Sequence, residues 1–162
     1  MRDWYNKSYF DAIKKGAQYK PKLYRVIKRI MAHSPETVLD VGCGHGFLVK
    51  RLINASINAH GIDFANSAGE ECTGRFWQGD ATKELPYPAD SFDVVVSMDF
   101  FEHLEEEDID KVYKEMKRVG KHIIALISFK PEKTAEGKPQ DTHLTVKPRE
   151  WWEDKIPGVE II

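Results

Sequence analysis

The chain has 162 residues, which suits one domain with a proper core. Its 24 Lys and Arg nearly balance its 26 Asp and Glu, and no apolar run reaches the length of a membrane span. Two cysteines, Cys43 and Cys72, make neither a disulfide framework nor a metal-type spacing. These features describe a small soluble enzyme without a structural metal. The start, M-R-D-W-Y-N-K, has no signal-peptide pattern, so the cytosol is the expected compartment.

Charge is unevenly spread. Residues 1–35 hold nine basic and two acidic residues, and the remainder fifteen basic and twenty-four acidic. Around Pro21 to Met31 the spacing predicts an amphipathic helix. Leu23, Val26, Ile27, Ile30 and Met31 face inward and Lys22, Arg25 and Arg29 outward. A solvated basic face is the plain reading; attraction of an anionic acceptor is the alternative. No RNA-binding motif supports nucleic acid as a partner.

Thr37 to Val41 reads as a strand buried on both faces. A glycine turn follows, Gly42-Cys43-Gly44-His45-Gly46, and then a helix that offers Phe47, Leu48, Leu52 and Ile53 to a core. Free amides at that helix start suit a polar or anionic ligand group. Asn58 to Asp63 reads as a second strand. Asp63 lies 21 residues after Gly42, the spacing that sets a carboxylate against ribose hydroxyls. Arg75 to Asp80 reads as a third strand and Phe92 to Met98 as a fourth.

The acidic run Glu102 to Asp110 opens a helix with Ile109, Val112, Tyr113, Met116 and Val119 inward, closed by Gly120. His122 to Ser128 is the expected fifth strand. Phe129 to Lys147 has no periodicity and leaves the carboxyl edge of a central strand, so it should border a ligand. Trp151 to Ile156 reads as a last helix and Gly158 to Ile162 as a sixth strand. Strands alternating with helices imply an α/β fold with a mostly parallel sheet. Asp40, Asp63 and Asp80 then sit at its carboxyl edge, where open α/β sheets bind their ligands.

Four segments carry a resemblance: D-V-G-C-G-H-G at 40–46, G-I-D-F at 61–64, G-D-A at 79–81 and L-P-Y-P-A-D-S-F-D-V-V-V-S-M at 85–98, followed by F-E-H-L at 101–104. Over about residues 37–128 the chain resembles a class I methyltransferase dependent on S-adenosylmethionine, in the small-molecule group that includes ubiquinone-type methyltransferases. The resemblance implies a Rossmann-like three-layer α/β/α sandwich formed by a single domain, 1–162. Residues 1–35 would be a helical lid bearing Trp4, Tyr5, Tyr9 and Tyr19, residues 36–128 the cofactor core, and residues 129–162 the acceptor side.

The resemblance also implies cofactor contacts from Asp40, Gly42, Cys43, Gly44, Gly46, Asp63, Phe64, Asp80, Ala81, Ser97 and Met98. Asp40 would take the amino group of S-adenosylmethionine, Asp63 its ribose hydroxyls, and Asp80 its adenine amino group. His143 is the first choice for a base toward a hydroxyl acceptor and His103 the second; a packing or capping role is the plain alternative for each. The segment H-L-T-V-K-P-R-E-W-W resembles one found in methyltransferases encoded near glycan-assembly enzymes, which points to a sugar or glycan precursor as the acceptor.

Two other classes remain. A nicotinamide oxidoreductase wants G-x-G-x-x-G, and here the third glycine comes one residue early, with Phe47 in its place. A non-catalytic cofactor-binding subunit would explain the small size. The family's seventh, antiparallel strand has no counterpart in the sequence. Either the sheet is abbreviated at its C-terminal side or a second subunit covers the exposed edge; residues 159–162 should form a strand beside the fifth strand, with that edge covered by a partner chain in a homodimer.

Overall fold

The computed structural model describes residues 19–65, 68–131 and 142–162, apart from the side chains of Tyr19 and Lys20. Along the chain run α1 (Tyr19–Met31), β1 (Thr37–Val41), α2 (Phe47–Asn54), β2 (Asn58–Asp63), β3 (Phe76–Gln78), β4 (Phe92–Met98), α3 (Glu106–Val119), β5 (Gly120–Leu126), α4 (Arg149–Lys155) and β6 (Glu160–Ile161). Short 3-10 turns span Glu70–Cys72 and Phe101–His103. The six strands form one sheet in the order β3-β2-β1-β4-β5-β6, and every pairing is parallel.

Period-two alternation sorts the strand residues into two cores. Leu39, Val41 and Val95 face Ile109, Val112 and Met116 of α3 and Trp152 of α4. Val38, Val94 and Val96 face Leu23, Val26 and Ile30 of α1 and Leu48 and Leu52 of α2. Helices on both faces of one sheet make the expected three-layer sandwich. No helix among the described residues is long and apolar enough to cross a membrane.

Several boundaries move for local reasons. The third strand stops at Gln78 because the Asp80 carboxylate accepts from Thr82 N (3.0 Å) and Thr82 Oγ1 (2.8 Å), an Asx turn that bends the chain. Met31, expected inward, is 45% exposed at the end of its helix. Lys22, expected on a solvated face, reaches across to Asp99 at 2.7 Å. Gly120 does close α3, but not in a left-handed cap. Its φ of −126° is extended, and it is the first residue of β5. A side chain is excluded there because a Cβ would lie 2.3 Å from Val95 Cγ2.

The last two strands pair directly, Ile124 with Glu160 and Ala125 with Ile161, with no seventh strand between them. The chain supplies part of the edge's cover itself. Arg149 Nη1 donates to Ile161 O at 3.0 Å, and Glu160 meets Arg29 and His33, each at 3.2 Å. Ile162 is buried.

Opposite the carboxyl edge, Asp93 pins three segments together. One oxygen accepts from Glu36 N (3.0 Å), Thr37 N (3.1 Å) and Thr37 Oγ1 (3.1 Å), and the other takes Lys121 Nζ (2.9 Å). The Lys121 ammonium and these amides hold the carboxyl far below the usual carboxylate range. Asp93→Ala should lower stability by about 1–3 kcal/mol, measured by urea unfolding at pH 7. Since the folded state depresses this pKa, the contribution is complete above about pH 4 and fades as pH falls further. The gap between wild type and variant should therefore narrow in acid.

Candidate functional site

β1 ends where the strand order reverses between β2 and β4, the crevice that α/β sheets use for ligands. Gly42, Gly44 and Gly46 adopt φ of +74°, +51° and +84°, left-handed conformations that other residues reach only with strain. Gly42 N and Cys43 N donate to Ile62 O at 2.9 and 3.1 Å, which ties the turn to β2. Gly69 N reaches Gly44 O at 2.8 Å and Glu71 N reaches His45 O at 2.8 Å, which ties it to the 3-10 turn beyond β2. Two glycines make room for protein rather than ligand. A Cβ on Gly42 would meet the Phe100 ring at 2.2 Å, and one on Gly46 would meet Cys72 Sγ at 2.3 Å. Cys43 is buried beside Cys72. That contact and burial push its thiol well up, so it is no reactive thiolate.

The three acids stand in different settings. Asp40 is 3% exposed, and its Oδ1 has no hydrogen-bond partner among the described residues. Burial foremost, then the neighbouring Cys72 and Asp63, raise its pKa well above the ordinary carboxylate value. Asp63 accepts from Gly44 N at 3.0 Å and from Ala65 N at 2.9 Å. Burial raises its pKa too, against the pull of those amides. The Phe64 amide also supports the carboxylate, which with about four acceptor positions keeps capacity for a ligand. Asp80 is half-buried and spends one oxygen on the Thr82 turn; Ala81 beside it is buried. Phe64 follows β2, half-buried. Ser97, fully buried, has an Oγ without a partner among the described residues, and Met98 ends β4 half-buried.

Beyond the ends of β4 and β5, the turn after β4 meets the segment that carries Thr142 and His143. His103 Nδ1 lies 2.9 Å from Thr142 O, and His143 Nδ1 lies 2.8 Å from Lys130 O. A carbonyl only accepts, so each Nδ1 donates its proton there. The two rings stand almost perpendicular with centroids 4.8 Å apart. The two histidines singled out in the sequence, 40 residues apart, are thus neighbours.

Between them and the sheet lies a residue whose role the sequence reading missed. Glu102, expected to open the acidic helix, is fully buried in the 3-10 turn, and α3 starts only at Glu106. Its Oε1 accepts from Ser128 N at 2.9 Å, while Oε2 has no hydrogen-bond partner among the described residues. Burial first, and the nearby Asp99 charge second, push its carboxyl up to about 8. The available signal was context, an acid with phenylalanine before it, a histidine after it and a strand end just upstream. Trp4, Tyr5, Tyr9 and the Tyr19 side chain lie outside the described residues.

A family model for the methyltransferase domain matches residues 38–122, just over half of the chain. The chain belongs to the methyltransferase domain family. An uncharacterized methyltransferase of Anoxybacillus flavithermus is 30% identical over 112 residues, covering 64% of this chain and 53% of that protein. Ajmaline N-methyltransferase of Rauvolfia serpentina is 34% identical over 98 residues, covering 53% of this chain and 33% of that protein. This methyltransferase domain therefore spans about half, or less, of the curated relatives it matches. The crystal structure of a SAM dependent methyltransferase from Archaeoglobus fulgidus superimposes with a TM-score of 0.59 at 23% identity, covering 73% of this chain and 57% of that one; it shares the fold.

S-adenosylmethionine, the cofactor that the sequence resemblance implies, fits the residues present. An ammonium, two ribose hydroxyls and an adenine amino group are all donors. The carboxyl edge offers three carboxylates along successive strands, one of them buried with an oxygen left without a partner among the described residues.

Proposed function

We propose that this domain transfers a methyl group from S-adenosylmethionine to a small hydroxyl-bearing acceptor, with a sugar or glycan precursor as the favoured class. The observation that carries the reading is the meeting of His103 and His143 at the carboxyl edge, beside the strand end that follows the glycine turn and its acids. The sulfonium of the cofactor supplies the reactivity. The protein holds the acceptor in line, and such positioning is worth roughly 7–11 kcal/mol of barrier. A hydroxyl must also lose its proton, and His143, or His103 beside it, assists that loss.

In this reading Asp40 holds the amino group of the methionine part, and Gly42, Cys43, Gly44 and Gly46 follow its backbone. Asp63 takes the ribose hydroxyls, with Phe64 alongside. Asp80 and Ala81 meet the adenine, while Ser97 and Met98 form the floor under the reacting atoms. A cytosolic location, and pairing into a homodimer, belong to the same proposal. An amine acceptor is the second reading, favoured by the N-methyltransferase among the relatives; a neutral amine needs no base and reacts on positioning alone.

Calorimetry with S-adenosylhomocysteine tests the cofactor assignments. Asp63→Ala should weaken binding by roughly 1.5–3 kcal/mol, the worth of a hydrogen bond to a charged group. Because Asp63 also anchors Gly44 and Ala65, Asp63→Asn, which keeps an acceptor there, should lose less. Equal affinity in wild type and Asp63→Ala would sink the assignment. Tighter binding of NAD than of S-adenosylhomocysteine would return the oxidoreductase. Binding without transfer of labelled methyl to any member of a metabolite pool would return the non-catalytic subunit.

A further inference from the structure

Glu102, His103 and His143 bring together one ligand atom each, all within 4.8 Å of one another. We propose that these three residues bind a single divalent first-row transition-metal ion such as Mn²⁺, Co²⁺ or Zn²⁺.

Three independent features point there. The first is donor chemistry. Two imidazoles and one carboxylate form a mixed nitrogen and oxygen set that suits first-row transition metals; Mg²⁺ and Ca²⁺ prefer oxygen ligands throughout. The second is orientation. Each histidine gives its Nδ1 proton to a backbone carbonyl, Thr142 O or Lys130 O, and this outer contact fixes the ring and presents Nε2 as the ligating atom. The third is Glu102 itself. A fully buried carboxylate with one oxygen held by Ser128 N and the other unpartnered among the described residues is costly. A cation bound at that oxygen removes the cost.

With bonds of about 2.0–2.2 Å at tetrahedral angles, two ligands on one ion stand about 3.3–3.6 Å apart, so binding draws these three side chains together from within 4.8 Å. Three protein ligands leave at least one coordination position open to water or to an acceptor oxygen. That last step rests on the methyltransferase reading; metal binding does not. An acceptor hydroxyl held there would give up its proton to solvent more readily, then donate its oxygen lone pair to the methyl carbon as the carbon–sulfur bond breaks.

The test uses the full chain without an affinity tag, dialysed against chelator. Titration with Co²⁺, followed by visible absorption and calorimetry, should give one ion per chain and bands of a mixed nitrogen and oxygen site. Glu102→Gln and His143→Ala should each weaken binding by more than the roughly 10–100-fold that loss of an outer contact costs. Both variants should bind S-adenosylhomocysteine as wild type does, which shows that they are folded and keeps this result separate from the cofactor reading. Substoichiometric binding, or equal Co²⁺ affinity in wild type and both variants, would overturn the proposal. Full methyl transfer by chelated wild type alongside loss of transfer in His143→Ala would overturn the acceptor step at the metal and leave that step to proton transfer by the histidines.

Discussion

Alanine at position 143 is expected to slow turnover of a hydroxyl acceptor by about 10²–10⁴-fold, the range that a group managing the acceptor's proton supplies. The side chain lost is the one that meets His103 edge to face at 4.8 Å and is steadied by Lys130 O. None of the residues assigned to the cofactor touches it in the hydrogen-bond network described above. S-adenosylhomocysteine should therefore bind the variant as tightly as it binds wild type. Steady-state kinetics with the acceptor saturating, paired with calorimetry, separate the two quantities. An unchanged kcat would move the proton's departure to His103 or exclude histidine from it, and His103→Ala decides between these outcomes.

The second large effect is on stability. Trp152 is fully buried, with its ring 6.2 Å from Phe101 and 5.0 Å from Trp151. Trp152→Ala should cost about 3–5 kcal/mol through lost burial and the cavity left behind. Denaturant unfolding should show a lower midpoint with an unchanged slope. The indole Nε1 has no partner among the described residues. Trp152→Phe removes that N–H while keeping much of the packing, and it should cost far less than the alanine variant. Phe101 adjoins Glu102 in the chain, so the alanine variant should also loosen the turn that presents Glu102 and His103.

The central strands were legible because their chemistry is unambiguous. Val38-Leu39 and Val94-Val95-Val96 are apolar on both faces, as only a sheet covered on both sides demands, and β1, β2 and β4 keep their expected bounds. The glycine turn and the three strand-end acids were legible because each residue type answers a local need. What was not legible depends on contacts distant in sequence. Nothing local shows that Gly42 yields its space to Phe100, or that Lys22 reaches Asp99. Glu102 was hidden for a different reason. Four acids follow within the next six residues, and their helix-start signal is strong enough to absorb it. Only the fold shows that this one acid turns inward, where Ser128 N holds it.

The junction of α3 and β5 sets a rule for how this domain can vary. Helix passes into strand at Val119-Gly120 with no residue between, and Gly120 lies hard against Val95. One added residue there would turn β5 over and send Ile123 and Ala125 to the side now held by Ile124 and Leu126. The amino-terminal rim at this point is a hinge without slack. Changes of length in this crossing are absorbed instead at the opposite rim, where the Phe100–His103 turn and the stretch leading to His143 leave β4 and β5. The frame can thus be refitted for a different acceptor by lengthening those exits while the α3–β5 junction stays fixed.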